Sequence, residues 1–394
     1  MSAAGSSSQL AGVGDTLEQR VAPLELFFDL VFVFAITQVT GFLSDDPTWA
    51  GLLRGMALLG ALWWAWVCYS WLTNSVRADE ETLARLVVLS AMAAMLIASL
   101  AVPGAFDEDA VIFGIAYFVV RLLHLALYAL SAGSEDRETH QTVLRFAPGF
   151  LGGPALLVLA GFFDGAAQGA LWAVALMVDY GTPLIRGVSG LRVHAGHFVE
   201  RHGLIVIIAL GESIVAVGLG AAGLELGAGV VFAALLGMVV AATLWWAYFD
   251  LVALAAERRL ARARGDERAV LARDSYSYLH LPMIAGIVLV ALGVKKALAD
   301  FGDPLGAVPA TALCGGVALY LLGHNAFRLR DVGSVSVPRL ITAVASLALL
   351  TLALQAPALV ALGAVAVLLS VLVTFEAIRY REIRRELRNS RWRA

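Results

Sequence analysis

Charged residues and cysteines are scarce in this sequence. Only 15% of the residues are Asp, Glu, Lys or Arg, whereas soluble domains contain about 25%. The two cysteines, Cys68 and Cys314, lie in separate apolar runs, which argues against a disulfide scaffold and a cysteine-based metal site. The sequence also lacks a nucleophile elbow, a Walker loop, a dinucleotide-binding fingerprint and a metalloprotease motif. These absences argue against the common soluble enzyme classes, and we expect no cofactor and no resident metal.

Long apolar runs dominate what is present. Apolar residues make up 60% of the 394 residues, and the mean hydropathy is +0.81. Runs of about 18 or more apolar residues with few charges predict transmembrane helices. We therefore predict an all-α polytopic membrane protein that has the lipid bilayer as a partner. The last two of about twelve spans are short, and one broken helix is the alternative there. The predicted spans are 24–44, 50–72, 83–102, 110–131, 143–163, 168–187, 202–221, 226–252, 276–298, 306–327, 339–354 and 356–378.

Basic residues are predicted to lie mostly on one side of the membrane. If the N-terminus is inside, nearly all Arg and Lys residues fall in cytoplasmic segments, and only Arg54, Lys295 and Lys296 fall outside. This asymmetry follows the positive-inside rule, so both termini are predicted to be cytoplasmic. Residues 1–20 are small and polar without a signal-peptide pattern, and we expect them to be disordered. The basic tail, 381–394, is expected to contact anionic lipid and no nucleic acid.

Two pairs of stretches resemble each other and indicate an internal repeat. "ALWWAWVCY" at 61–69 resembles "TLWWAYFDL" at 243–251, and "AYFVVRLLH" at 116–124 resembles "LYLLGHNAF" at 319–327. This similarity predicts two copies of a six-helix unit, as found in transporters with parallel repeats.

The repeat also predicts where the two halves meet. We assign residues 21–200 to the first six-helix repeat and residues 201–380 to the second, both in the same orientation and related by an axis along the membrane normal. Asp29 in the first span lies at nearly the same offset as Glu212 in the seventh. Binding sites tend to lie at the interface of such repeats, so we expect a site between the halves.

Two acids stand at the start of the first span. An ionisable side chain in hydrocarbon costs roughly 2.5–3.5 kcal/mol on insertion scales, so it should face the bundle interior and find a partner. Glu25 and Asp29 lie four residues apart and share one helix face. Glu25 has a simpler alternative, which is to cap its own helix. For Asp29 we expect either an ion pair with an arginine or a functional role.

The stretch "HAGHFVERHGLIVIIALGESIVAVG" is the second place rich in polar residues. His197, Glu200 and Arg201 lie just before the predicted seventh span, and Glu212 lies inside it. Arg201 and Glu212 fall on almost the same face, because eleven residues are close to three helical turns. His194, His197 and Glu200 have a spacing that two or three metal ligands could use, but it is common by chance and no H-E-x-x-H motif is present, so no metal is predicted.

A lone arginine in the middle of the fourth span also needs a partner. Arg121 is expected to pair with a carboxylate, and Asp29 and Glu212 are the candidates. Gln38 in the first span and Asp179 in the sixth complete the set of polar residues that we assign to the site. Asp179 lies near a predicted helix end, where capping or snorkelling is the simpler explanation.

These motifs resemble a known family. "RVAPLELFFDLVFVFAITQVT" and "HFVERHGLIVIIALGESIVAVG" are similar to the two signatures of the bacterial low temperature requirement A (LtrA) proteins, and the likeness extends over roughly residues 20–380. The resemblance implies a multi-pass protein of the bacterial cytoplasmic (inner) membrane. It implies no biochemical activity, because the family is named for growth in the cold. The matching positions are Glu25, Phe28, Asp29, Gln38, Asn74, Arg77, Asp79, Arg121, Asp179, His197, Glu200, Arg201, Gly211 and Glu212.

We therefore predict a transporter of a small solute or ion, with protons as one option. Asp29, Glu212 and Arg121 would form a charge cluster between the halves, with the remaining charged residues at its cytoplasmic end. An ion channel is one alternative, since "FFDLVFVFAIT" also resembles the first helix of two-repeat potassium channels. A membrane-embedded enzyme acting on lipid and a scaffold are further alternatives, although a non-enzyme is favoured. The solute and the oligomeric state, including a homo-oligomer, stay open.

Overall fold

The computed structural model describes residues 21–76, 79–131, 137–250 and 252–382. Within these ranges the chain forms α-helices and one π-helical segment, and no β-strand. Segment 1–20, Arg77 and nearly all of the basic tail lie outside the described residues. The elements are α1 (Pro23–Asp45), α2 (Trp49–Ser75), α3 (Thr82–Leu100), α4 (Ala110–Ser131), α5 (Arg137–Ala160), α6 (Gly165–Arg186), α7 (Ala195–Gly220), α8 (Ala228–Phe249), α9 (Val252–Arg262), α10 (Gly265–Leu271), the π segment (Ala272–Tyr278), α11 (His280–Ala299), α12 (Ala307–Val332), α13 (Val337–Ala348), α14 (Leu350–Ala353) and α15 (Ala358–Arg379).

Helices stand at all of the predicted span positions. In the described part of the chain, 10 of them are long and apolar enough to cross a membrane. The 22-residue α6 is not one of these, because residues such as Gln168 and Asp179 lower its hydropathy. The stretch Val337–Ala353 is apolar but short; 17 residues at 1.5 Å each span about 25 Å, less than the roughly 30 Å hydrocarbon core. The helical multi-span architecture is thus confirmed, and twelve crossings stay a prediction.

The end of the chain resolves one alternative from the sequence. A turn at residues 354–357 separates α14 from α15, so the last two predicted spans are separate helices. The loop between α11 and α12 bonds through its backbone to the residues on either side of this turn, including Leu305 N–H to Ala353 O at 3.1 Å and Ala358 N–H to Asp303 O at 2.8 Å. Arg339 at the start of α13 pairs with Glu376 near the end of α15, so the chain reverses direction there.

Apolar side chains cover the outside of the bundle as well as its interior. Leu30, Ile185 and Val367 are 60%, 83% and 63% exposed, which suits contact with lipid tails. Inside, small residues allow close helix packing. A Cβ at Gly286 or Gly316 would lie under 3.0 Å from the backbone of the facing helix, where α11 meets α12.

The helices are packed in a regular order of neighbours. In the first part of the chain, α1 packs on α2 and α3, α3 on α4, α4 on α5, α5 on α6, and α2 on α6. In the second, α7 packs on α8 and α11, α11 on α12, α12 on α13, α13 on α15, and α8 on α15. The two sets meet where α1 contacts α7 and α11.

The contact between α1 and α7 positions the candidate site. Glu25 reaches His197, Asp29 reaches Arg201, and Thr37 reaches Glu212. Residue numbers rise together along both helices, so α1 and α7 run side by side in the same direction.

Candidate functional site

A buried cluster of charges joins the first turns of α1 and α7. The Arg201 guanidinium donates through Nη1 to Glu25 Oε1 at 3.0 Å and through Nη2 to Asp29 Oδ1 at 2.7 Å. His197 Nε2 lies 2.8 Å from Glu25 Oε2, which also accepts from the backbone N–H of Ala22. Glu25 therefore caps its own helix, as the simpler interpretation predicted, and is also part of the cluster.

Helix α2 closes the cluster with three polar side chains. Trp66 Nε1 donates to Asp29 Oδ1 at 2.8 Å, and its ring lies beside the Arg201 guanidinium. Thr73 Oγ1 accepts from Arg201 Nη1 at 3.0 Å. Asn74 Nδ2 lies 3.0 Å from His197 Nδ1. All of these side chains are buried, so their polar groups depend on one another for hydrogen bonds.

The hydrogen bonds of Asn74 fix the protonation of His197. Asn74 Oδ1 accepts from the backbone N–H of His194, so the other end of the amide, Nδ2, is the donor that faces His197 Nδ1. The Nδ1 atom must then be an acceptor without a proton, and Nε2 carries the proton that it donates to Glu25. His197 is therefore a neutral imidazole in this arrangement.

The cluster consequently contains more negative than positive charge. Arg201 is its one permanent cation, and Glu25 and Asp29 are two carboxylates. Both Glu25 oxygens have donors, whereas Asp29 Oδ2 is buried and makes no hydrogen bond in the described part of the chain. A buried unpaired charge is costly, so a proton or a small cation at Asp29 Oδ2 would neutralise the site.

A second acidic site lies further along the same helix contact. Glu212 is 2% exposed, and its Oε2 lies 2.6 Å from Thr37 Oγ1 of α1. Its Oε1 has no hydrogen-bond partner among the described residues. Thr37 lies eight residues beyond Asp29, about 12 Å along α1 at 1.5 Å per residue. Phe32 and Ile36, which are buried and apolar, lie between the two sites on α1.

Arg121 lies in a separate, balanced ion pair within the first half. Its Nη2 donates to Asp179 Oδ1 at 3.0 Å, and Tyr117 donates to Asp179 Oδ2 at 3.1 Å. The guanidinium also contacts Cys68 Sγ and lies over the Phe150 ring, 4.5 Å from its centroid. One cation faces one carboxylate here, and both side chains are buried.

The predicted pairing of Arg121 is therefore wrong. Arg121 contacts neither Asp29 nor Glu212; Asp29 pairs with Arg201, and Glu212 bonds to Thr37. The expectation that Asp179 caps or snorkels is wrong for the same reason. The side chain points into the bundle, because α4 and α6 both pack against α5 and lie close enough for their charges to meet.

Two residues of the predicted site lie outside these clusters. Glu200 is exposed, although its neighbours His197 and Arg201 are buried. Gln38 is half-buried, and within the described residues it has no hydrogen bond to either acidic site. Glu200 is close in sequence to the cluster residues His197 and Arg201, but it lies on the side of α7 that faces away from α1.

Sequence reasoning missed the polar partners on α2. Trp66 and Thr73 were not assigned to the site, and Asn74 entered only through the family resemblance. The sequence offers little indication of this role, because Trp66 lies in an apolar run that is typical of a helix buried by packing. The buried pair of Arg339 with Glu376, bidentate at 2.8 Å, was also not predicted.

The π segment connects the two parts of the bundle beside the charge cluster. Trp63 Nε1 donates to the Ser277 carbonyl at 2.8 Å, and Trp71 Nε1 donates to the Ser277 hydroxyl at 2.9 Å. The predicted ninth span started at residue 276, whereas the helical stretch starts at Gly265, because the charges there ended the apolar run. π turns are often found at functional sites.

Other features of the described residues do not form a metal or polar ligand site. No group of three or more His, Cys, Asp or Glu side chains in the described ranges is placed to hold a metal ion. A cavity of about 60 Å³ lies between α2, α4, α5 and α6, with largely apolar and aromatic walls that include Trp64, Phe146 and Phe150. It lies away from α1 and does not include the cluster residues.

The chain is similar to proteins of one bacterial family. A family model described as "Bacterial low temperature requirement A protein (LtrA)" matches residues 20–374. An uncharacterized protein of Rhizobium meliloti (strain 1021) is 30% identical over 313 residues, which cover 76% of this chain and 75% of that protein. No solved structure matches the chain.

Proposed function

This chain belongs to the bacterial low temperature requirement A family, and on that premise we propose that it is a membrane transporter whose buried carboxylate–arginine cluster couples to passage of a small solute or ion. The observation that carries the proposal is the unpartnered Oδ2 of Asp29 in a cluster with two carboxylates and one permanent cation. Such an arrangement suits the binding and release of a proton or small cation at Asp29.

The cost of the cluster favours function over stability. Replacing buried ion pairs by apolar residues is often neutral or stabilising, so buried charge is weak support for a purely structural role. In membrane helices, ionisable residues facing the bundle interior mark ion or substrate pathways by default. Asp29 and Glu25 fit this description, because both are buried within a helix that is long and apolar enough to span the bilayer.

The position of the cluster supports a two-repeat transporter. If the helices α1 to α6 correspond in order to α7, α8, α11, α12, α13 and α15, the two halves have the same order of helix neighbours. The first helices of the halves run parallel where they meet, as an axis along the membrane normal requires. We therefore propose two six-helix repeats with both termini on the cytoplasmic side of the inner membrane.

Transport follows from alternating access around this interface. Charging and neutralising Asp29 Oδ2 changes the net charge between α1 and α7 by one unit, which changes the attraction of Arg201 for α1. Movement of one half against the other would then expose the acid to one side of the membrane at a time.

A channel is the second candidate, because Glu25, Asp29 and Thr37 give α1 a polar face towards α7. Phe32 and Ile36 are buried between these residues and close the contact to water, which favours a gated transporter over an open pore.

Proton flux in proteoliposomes tests the proposal. Purified protein is reconstituted, a potassium-diffusion potential is imposed, and proton uptake is followed with a pH-sensitive dye. We expect Asp29→Asn to lower the flux by at least about tenfold, because the amide cannot take up a proton. The control is Glu225→Gln at an exposed site, which should retain wild-type flux. Equal flux in wild type and Asp29→Asn contradicts the proposal, and a conductance far above transporter turnover would select the channel.

A further inference from the structure

The acid on α7 differs from every other buried acid of the α1–α7 contact. Glu212 is buried in the middle of α7, and no Arg, Lys or His of the described residues lies within ion-pair distance of it. Its oxygen Oε2 contacts a hydroxyl, Thr37 Oγ1, at 2.6 Å. Among the described residues, an ionised carboxylate here would have the hydroxyls of Thr37 and Thr40 as neighbouring donors, with the Lys295 cation beyond ion-pair distance.

The hydrogen bonds of Thr37 limit where the protons can be. Thr37 Oγ1 lies 3.1 Å from the carbonyl oxygen of Val33 and 2.6 Å from Glu212 Oε2. A hydroxyl has one proton, so it can donate to only one of these two oxygens. Threonine in a helix commonly donates to the carbonyl four residues earlier. If Thr37 donates to Val33, the short contact with Glu212 requires a proton on the carboxyl group.

We infer that Glu212 and Thr37 form a proton-holding site in which Glu212 is a neutral acid that donates to Thr37. When Glu212 loses its proton to water, the Thr37 hydroxyl rotates, donates to Oε2 and leaves the Val33 carbonyl. When a proton returns from water, the rotation reverses. One proton is exchanged with water, and the only other change is that the Thr37 hydroxyl switches its hydrogen bond between the Val33 carbonyl and Glu212. The α1–α7 contact therefore has a second proton-binding site besides Asp29.

The surroundings of Glu212 favour a proton over a metal cation. On α1 it faces the hydroxyls of Thr37 and Thr40, and Asp29 lies two turns away. On α11 the nearest cation is Lys295, which does not reach ion-pair distance. A metal cation needs several oxygen ligands, about six or more for Ca²⁺, whereas the oxygens here come from one carboxylate and two hydroxyls.

The other elements that pack against α7 add no charge at this level. Helix α8 has no titratable residue before Tyr248, which lies at its far end. Helix α2 and the π segment meet the first turns of α7, through Asn74 with His197 and Tyr276 with His202. Helix α9 follows α8, so its charged residues Glu257, Arg258 and Arg259 lie towards the same end.

This inference rests on the proposed function, because it assigns the coupling ion as a proton, but its test does not require transport. Infrared absorption of the purified full-length protein at neutral pH reports protonated carboxylic acids through their C=O stretch. We expect Glu212→Gln to remove one such band, and the exposed-site control Glu225→Gln to leave all bands unchanged.

Two variants of Thr37 make the test independent of changing the acid. Thr37→Val removes the acceptor and should shift the Glu212 band to higher frequency, whereas Thr37→Ser keeps the hydroxyl and should leave it in place. If neither Glu212→Gln nor Thr37→Val changes this region of the spectrum, Glu212 is ionised and the inference fails. Loss of the band on adding sodium chloride at constant pH would assign a cation site and also overturn it.

The infrared spectra test the protonation of Glu212, and the flux assay tests transport, so either result can be negative without the other. A Glu212 band in a protein without proton flux would leave this assignment standing and remove the proposed transport. Flux without the band would leave transport standing and remove this assignment.

Discussion

Two of the buried arginines, Arg121 in α4 and Arg201 in α7, are paired with carboxylates in different ways. Arg121 faces one carboxylate, Asp179, which a tyrosine also satisfies, so this pair is electrically balanced. Arg201 faces Glu25 and Asp29, and one oxygen of Asp29 has no partner in the described part of the chain. The balanced pair joins α4 to α6, whereas the unbalanced cluster has the uneven charge on which the proposed function rests.

The largest effect is expected from removing the cation of the unbalanced cluster. Arg201→Gln leaves two carboxylates buried without a counter-ion, and breaking such a buried pair costs about 3–5 kcal/mol. Thermal unfolding in detergent should show a strong loss of stability. Arg264→Gln, at an exposed arginine, is the control and should unfold like the wild type. A wild-type melting curve for Arg201→Gln would mean that the cluster does not hold α1 against α7.

A double substitution distinguishes the balanced pair from the unbalanced cluster. Arg121→Met alone should destabilise by about 3 kcal/mol, because it leaves Asp179 buried and unpaired. Adding Asp179→Leu should recover most of that loss, because an apolar pair of similar volume replaces the ion pair. The double-mutant cycle with melting temperatures measures the coupling. The matching double variant, Arg201→Met with Asp29→Leu, should not recover the stability lost in Arg201→Met, because the Glu25 carboxylate is left without a cation. Equal recovery in both cycles would remove the distinction.

Asn74 offers a way to change the protonation of His197 without replacing any residue of the ion pairs. Asn74→Asp replaces the donor opposite His197 Nδ1 with an acceptor, so the imidazole can take a second proton. We expect nitrogen NMR of labelled histidine to show the Nε2–H form of His197 in the wild type and protons on both ring nitrogens in the variant. His202, whose Nδ1 bonds to the Phe198 carbonyl, is the internal reference. A cationic His197 in the wild type would contradict the excess negative charge.

The smallest effect is expected at Glu200. Its side chain is exposed and lies outside the cluster, so Glu200→Gln should change stability by less than about 0.5 kcal/mol, as is usual for surface positions. Proton flux should also stay at the wild-type value. A loss of flux comparable with that of Asp29→Asn would place Glu200 in the pathway.

The sequence allowed the helices and part of the site to be predicted. Apolar runs predict membrane helices because lipid offers the backbone no hydrogen bonds, and the helices lie at the predicted positions. The spacing of Glu25 with Asp29, and of Arg201 with Glu212, correctly indicated shared faces, since both pairs turn towards the same helix contact.

Which side chains form ion pairs and hydrogen bonds with each other could not be predicted from the sequence. Nothing in the local sequence shows that α5 brings α4 and α6 together, so Asp179 was not recognised as the partner of Arg121. The hydrogen-bond partners on α2 depend on the rotation of that helix, which its many tryptophans do not reveal.

The most direct test of the unbalanced cluster compares proton flux in two variants reconstituted side by side. We predict that Asp29→Asn loses proton flux while the apolar double variant Arg121→Met with Asp179→Leu keeps it, because only the first substitution removes the acid that the proposed function needs. Flux that survives in Asp29→Asn, or that is lost equally in both folded variants, would contradict it.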